Sequence, residues 1–219
     1  MMPVRRVIVV IVLLLAASGV AVAAVSKQPK KDIKPAAQAK AVAINVRRSD
    51  LPGKGWTSSP PSPTKGNTPT CSFYNPDQSD LTENGDADSR TFSSPDGSEV
   101  SSTTGIFVSA SQAATAYKRI VQPDLPKCVG ELLVKSGGGK IALRSSGKLA
   151  FPSYGDRSAA YRLTVTVKSG NTKVPVVVDL VAVNQGKADI AFFFTANRTP
   201  WSAAFEQHVV ARVVSRAKT

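Results

Sequence analysis

From residue 161 the chain alternates. Tyr161, Leu163, Val165 and Val167 are apolar, and Arg162, Thr164, Thr166 and Lys168 between and after them are polar. A period of two is that of a strand buried on one face. Ser169-Gly170-Asn171-Thr172 supplies turn residues, and an apolar run follows from Val174 to Val183. Asn184-Gln185-Gly186-Lys187 is a second turn, leading into Ala188 to Ala196. Turns this short join antiparallel neighbours, so the pattern predicts a meander. Upstream, Val100, Ile106 and Val108 set among Ser and Thr predict one more strand.

The helical signals lie on either side of this block. Ser109-Ala110-Ser111-Gln112 fits a capping box and predicts a helix to about Val121. A second helix is expected from about Lys127 to Val134, ended by Gly137-Gly138-Gly139. Thr199-Pro200 predicts a C-terminal helix, with Thr as cap and Pro at the first position. Trp201, Ala204, Phe205, Val209, Val213 and Val214 would then share its buried face. The expected fold class is α+β: an antiparallel β-sheet meander with helices packed on one face.

The N-terminal third is patterned differently. Arg5 and Arg6 precede an unbroken apolar stretch from Val7 to Ala17, and Ala21-Val22-Ala23 is a small-x-small site. That is the layout of a secretory signal peptide over residues 1–23. Val7 to Val25 is also long enough to be an uncleaved membrane anchor. Either reading puts the body outside the cytoplasm. Residues 24–41 are Ala/Lys/Pro-rich and aperiodic, which predicts a flexible basic tether. Residues 42–219 are expected to form a single extracytoplasmic domain. It opens with a lead-in that stops at Pro52-Gly53, and Trp56 is its first large apolar anchor. Residues 57–98, rich in Ser, Pro, Gly, Asn and Asp, read mostly as loop.

Charge and cysteines refine this picture. The net charge is +13, and residues 27–48 contribute +6 from seven Lys/Arg and one Asp. Behind an export signal, such a segment is a solvated linker or a contact for anionic membrane or wall polymer, not for nucleic acid. There are two cysteines, Cys71 and Cys128. An even count in an exported chain predicts a disulfide, worth about 4 kcal/mol for a loop of this length on the chain-entropy model.

Catalytic motifs fail one by one. Gly139-Lys140 and Gly147-Lys148 lack the remaining positions of a phosphate loop. The acidic stretch Asp77, Asp80, Glu83, Asp86, Asp88 puts Thr91 where a calcium loop needs a bidentate Glu, so no metal is expected. His208 is the single histidine and has no nucleophile elbow beside the sequence of its helix. Asn197-Arg198-Thr199 matches a glycosylation acceptor but overlaps the expected helix cap. Asp156-Arg157 follows Gly155 and reads as a turn that orients the next strand. Phe192-Phe193-Phe194 puts aromatic bulk on both faces of one strand. Either both faces are covered, or one lines an apolar ligand groove with Trp56, Phe192, Phe194 and Tyr161 as its candidate residues.

Taken in order, the export segment, the tether, Asp50-Leu51-Pro52 with Trp56, Cys71, a strand–helix unit ending at Cys128, and Tyr154-Gly155-Asp156 before a meander and a final helix resemble a known family. It is the actinobacterial extracellular sensor-like domain, typified by the PknH-like kinase sensor domain and its free-standing envelope relatives. The resemblance covers about residues 42 to 217. It implies ligand or partner sensing in the cell envelope, without catalysis or cofactor. This chain departs from the kinase sensors in having cysteines for one disulfide instead of two, and in having no kinase.

Three functions therefore stand open. The first is a non-enzymatic, secreted or membrane-tethered binding domain, expected to be monomeric, for a lipid, cell-wall fragment or envelope protein. The second is an envelope hydrolase using a carboxylate pair or His208. The third is a protein-only adaptor. The Phe192–Phe194 strand discriminates: a groove on one face favours a small ligand, and two covered faces favour an adaptor.

Overall fold

In the computed structural model, residues 28–61 and 68–218 are described. The apolar leader and the start of the tether lie outside the described residues. No helix among the described residues is long and apolar enough to cross a membrane.

One sheet of nine strands organises the molecule. In chain order the elements are β1 (Lys30–Lys31), α1 (Pro35–Ile44), a 3-10 turn (Arg48–Asp50), β2 (Thr57–Ser59), β3 (Thr82–Asp88), β4 (Thr91–Ser93), β5 (Glu99–Phe107), α2 (Ala110–Ile120), α3 (Leu125–Ser136), β6 (Ile141–Lys148), β7 (Arg157–Ser169), β8 (Thr172–Gln185), β9 (Ala188–Asn197) and α4 (Ala203–Ala217). The main path across the sheet is β1-β3-β5-β9-β8-β7-β6, with β4 also on β5 and β2 on β4. β1 runs parallel to β3 and every other pairing is antiparallel. The expected meander is β7-β8-β9, and the expected α+β class holds.

The helices cover both faces, not one. α1 and α4 pack on the face that carries Val100, Ile106, Val181, Val183, Ile190, Phe192 and Phe194. α3 packs on the other face, over Leu163, Val165, Val167, Val176 and Val178. α2 joins it through Ala113 and Ala116 against Phe107 and Leu81. The reason is in the strands. Val176 to Val183 is apolar at almost every position, so β8 presents apolar side chains to both sides and must be buried on both.

The described part of the segment expected to be a flexible tether, residues 28–41, is built into the fold. Lys30 and Lys31 pair with Thr82 and Glu83. Pro35 opens α1, whose Ala41 and Ile44 enter the core. Alanine gives no periodic signal but favours helix and allows close packing. The contact with β3 is very close: a Cβ at Gly85 would meet the Ala37 backbone at 2.5 Å. Gln38 completes it by donating to the Asp86 carbonyl at 2.8 Å and accepting from the Asp86 amide at 3.0 Å.

Behind α1, Asp50 ties the N-terminal segment to α4. It is 1% exposed and accepts from the Arg47 amide, Arg212 and Arg216. Burial alone would raise its pKa, but the hydrogen bonds from Arg216 and from the Arg47 amide outweigh it and hold the carboxyl below its usual range. Asn45 is also held on both sides, donating to the Ala87 carbonyl and accepting from the Ser102 and Thr104 hydroxyls.

One helix cap stands where expected and another moves. Ser109 caps α2 by accepting from the Gln112 amide, as expected, while the Gln112 side chain accepts from the Thr82 amide and docks α2 on β3. α4 starts one turn later than Thr199-Pro200 suggested: Ser202 is the cap, accepting from the Phe205 amide at 3.2 Å. Trp201 therefore precedes the helix and Ala204 is exposed.

Candidate ligand-binding face

The side chains singled out from the sequence fall in different places. Cys71 and Cys128 form a disulfide that ties the segment before β3 to α3. Beside it, the Tyr74 hydroxyl donates to the Ile120 carbonyl at 2.6 Å. Phe192 and Phe194 are 0% exposed beneath α4. Trp56 is half-buried and stacks on Trp201 and Phe205, and Phe205 meets Phe194 edge-on. Tyr161 lies on the opposite face of the sheet, its hydroxyl toward the Gln122 carbonyl. The candidate groove of Trp56, Phe192, Phe194 and Tyr161 is therefore not formed. Strand parity explains it: Tyr161 pairs with Leu180, which pairs with Phe193, so Tyr161 shares a face with Phe193.

Asp156 and Arg157 make a corner. The Asp156 carboxylate accepts from the Gly186 amide, its own amide donates to the Asn184 carbonyl, and Arg157 donates to the Asn184 side chain. They pin the start of β7 to the β8–β9 turn. His208 is exposed on α4. No three His, Cys, Asp or Glu converge as metal ligands among the described residues.

A carboxyl pair does form: Asp179 on β8 and Glu206 on α4, both 1% exposed. Arg162 holds Asp179 with two bonds of 2.7 and 2.6 Å. Burial, and then the neighbouring Asp179 carboxylate, raise the pKa of Glu206, whose Oε1 has no hydrogen-bond partner among the described residues. Both carboxyls are enclosed between α4 and the sheet, which suits an internal network better than attack on a substrate.

The remaining surface of interest is the α2/α3 face of the central strands. Residues directly paired across strands point to the same side. The register aligns Asp88 with Thr103 and Ala191, Ser101 with Phe193, Glu99 with Thr195, and Asp86 with Gly105 and Asp189. α3 covers β6 and β7, its core cluster reaches Leu180 and Phe193, and α2 lies over β5, β8 and β9 from the Phe107 end. Between them Asp86, Asp88, Ser101, Thr103, Ala182, Ala191 and Phe193 are each only half-buried. The same strands are sealed on the side facing α1 and α4.

Carboxyl groups gather on this half-open face, and burial raises several of them. Asp88 is pushed up to about 6 by burial and by the Asp86 charge. Burial pushes Glu99 up to about 7, against the hydrogen bond from the Ser93 hydroxyl. Burial and the Glu83 charge push Asp189 up to about 8, against the hydrogen bond from Asn184. Glu83 itself is raised by burial and lies over Gly105, where a Cβ would stand 2.4 Å from its Oε1. Lys31 reaches over from β1 to pair with Glu83 and Asp86.

Three buried acceptors on this face have no hydrogen-bond donor among the described residues: Glu99 Oε2, Asp189 Oδ2 and Asn197 Oδ1. Acceptors left without a donor are costly, and a bound group that donates would relieve them. The face thus combines an apolar floor at Ala191 and Phe193, the hydroxyls of Ser101 and Thr103, and acceptors waiting for donors. Sequence reasoning missed Asp88, Glu99 and Asp189 as a set. The usable signal was parity: Glu99, Ser101 and Thr103 alternate with Val100, Ser102 and Thr104, but only the pairing register brings Asp88 and Asp189 beside them.

No protein-family model matches the chain, and neither does any curated protein sequence.

Proposed function

We propose that the chain is a non-enzymatic binding domain that works outside the cytoplasm and takes a small ligand on the half-open face of β3, β5, β9 and β8. One observation carries this reading. The Phe192–Phe194 strand is sealed on the side of Phe192 and Phe194 and only partly covered on the side of Phe193, whose ring packs at the margin of the α3-side core. A small-ligand site needs an apolar floor with a few polar groups around it, which is the combination this side of the strand offers. The disulfide supports an oxidising compartment. The apolar leader supports export, either with cleavage near Ala24 or with retention as an anchor. The resemblance to envelope sensor-like domains points the same way. The hydrolase alternative has its carboxyl pair in Asp179 and Glu206, but their enclosure beneath α4 argues against it.

The test is native mass spectrometry of the protein purified from its own host. The reading expects a chain that carries a non-covalent adduct. Ala191→Trp, which fills the floor, should remove the adduct, while Ala142→Trp at an exposed position of β6 should keep it. An adduct that survives Ala191→Trp would place the ligand elsewhere and overturn the assignment of this face.

A further inference from the structure

The half-open face carries a sharper statement about ligand class, which rests on the reading just given. We infer that it binds a linear polyamine, laid along β5 and β9 with one ammonium at Glu99 and Asn197 and another toward Asp189.

Four observations lead there. First, the unsatisfied groups on this face are all acceptors. Glu99 is 6% exposed, its Oε1 accepts from Ser93, and its Oε2 has no donor among the described residues. Glu99 pairs with Thr195, and Asn197, two residues further along β9, adds a second such acceptor on the same face. An ammonium brings three donors and no acceptor, which is what this corner lacks.

Second, the acceptors are spaced along a line and do not converge. Glu99 and Gly105, the partner of Asp189, are six residues apart on β5. At roughly 3.3 Å per residue that is about 20 Å. Asp88, beside Thr103, falls between the two ends. A metal ion needs convergent ligands, and a single amine would satisfy only one end. A chain of methylenes punctuated by ammonium groups matches acid, apolar floor and acid in sequence, with Phe193 and Ala191 beneath the methylenes.

Third, the face offers no free backbone. The amides and carbonyls of β5 and β9 are spent on each other and on their neighbours. A peptide lying here would find no ladder to join, whereas a polyamine has no amide to satisfy.

Fourth, this face gathers the carboxyl groups of Asp86, Asp88, Glu99 and Asp189. The chain as a whole carries +13 and repels a polycation. Binding of such a molecule therefore requires a local acidic surface.

The probe is spermine, with 1,4-diaminobutane as a short control, titrated into the disulfide-bonded protein by calorimetry and by amide NMR at pH 8 and low salt. The expected result is a single saturable site, shifts centred on Ser101, Ala191 and Phe193, and weaker binding of the short diamine. Glu99→Gln should weaken spermine about tenfold by removing one charge-assisted hydrogen bond. Asp88→Asn, at a half-buried position whose loss is less of a risk to folding, should weaken it as well. No saturable binding, or binding indifferent to both substitutions, overturns the polyamine assignment. If spermine fails while a native adduct is still lost in Ala191→Trp, the face remains a binding site and only the ligand class falls. If spermine binds with shifts elsewhere, the location falls too.

Discussion

The two faces of β5 and β9 are built from alternate residues of the same strands, yet they differ in kind. Toward α1 and α4 stand Val100, Phe192 and Phe194, with Ser102 and Thr104 among them, all buried. The hydroxyls among them are satisfied, both donating to Asn45 while the Val46 amide donates to Ser102, and an exception on this side is Glu206 Oε1 on α4. Toward the other side stand Glu99, Ser101, Thr103, Asp189, Ala191 and Phe193, half-covered for the most part and with buried acceptors lacking donors. One parity class holds the fold together and the other remains available. A polar group in a sealed layer must find its partner inside the protein, and one in an open layer can leave that role to a ligand.

The largest test of that contrast removes one ring from each face. Phe192→Ala should cost about 3–5 kcal/mol, the usual cost of emptying a sealed aromatic site. Phe193→Ala, at a half-buried ring, should cost roughly 1 kcal/mol, because less area leaves water there on folding. Urea denaturation of the disulfide-bonded protein measures both. Equal losses would mean that the Phe193 side is as sealed as the Phe192 side, and the contrast would fail.

Next comes the disulfide, which holds the segment before β3 against α3 and so frames the half-open side. The paired substitution Cys71→Ser and Cys128→Ser should cost about 2–4 kcal/mol, with the loss falling mainly on constraint of the unfolded chain. Hydrogen exchange would locate the effect. The reading expects faster exchange in α3 and around Tyr74, with α4 protected until global unfolding. Acceleration of α4 before α3 would show that the two layers do not open separately.

A third test uses pH. Asp88, Glu99 and Asp189 have folded pKa values raised above their ordinary ones, to about 6, 7 and 8. The groups facing them are Asp86 and Lys31 for Asp88, Ser93 for Glu99, and Glu83, Arg157 and Asn184 for Asp189. Between the unfolded and folded values the folded state holds more protons than the unfolded chain, so stability falls as pH rises from about 4.5 toward 8. Asp50 acts in the opposite sense, but only below the ordinary carboxylate range. Glu99→Gln should flatten the slope between pH 5 and 7 and stabilise the ligand-free protein at pH 8 by on the order of 2 kcal/mol. The same substitution should weaken spermine. A variant less stable than the parent at pH 8 would mean that the second oxygen of Glu99, Oε2, is also engaged in the fold, and the face would lose its main acceptor.

The limits of sequence reading follow the same division. The meander, the cap at Ser109 and the Cys71–Cys128 pair were legible because each rests on local periodicity, a short spacing or a count. The covering of both sheet faces was legible in principle from the unbroken apolar run of β8, but the alternation in β7 dominated the inference. β3, spelled Thr82-Glu83-Asn84-Gly85-Asp86-Ala87-Asp88, was not legible. Nothing in it favours a strand locally. It is held by β5, by Lys31, and by an Ala-rich helix that itself gives no periodic signal. The candidate face depended on register, which places Asp88 and Asp189 beside residues far away in sequence. A shift of one residue in the choice of phenylalanine, from Phe193 to its neighbours, moved the expected site into the core.

The smallest expected effect is at His208, and it bears on which side of the molecule is functional. His208 is exposed on α4, whose buried side carries Val209, Val210, Val213 and Val214. The half-open face lies across the sheet from it. His208→Ala should change stability by no more than about 0.5 kcal/mol, as for other exposed positions without a partner role. It should leave both the native adduct and spermine binding unchanged. A loss of either would shift the functional surface from the Phe193 face to the outside of α4. It would also restore the histidine version of the hydrolase, because His208 would then be acting on a ligand from a position where the fold makes no use of it.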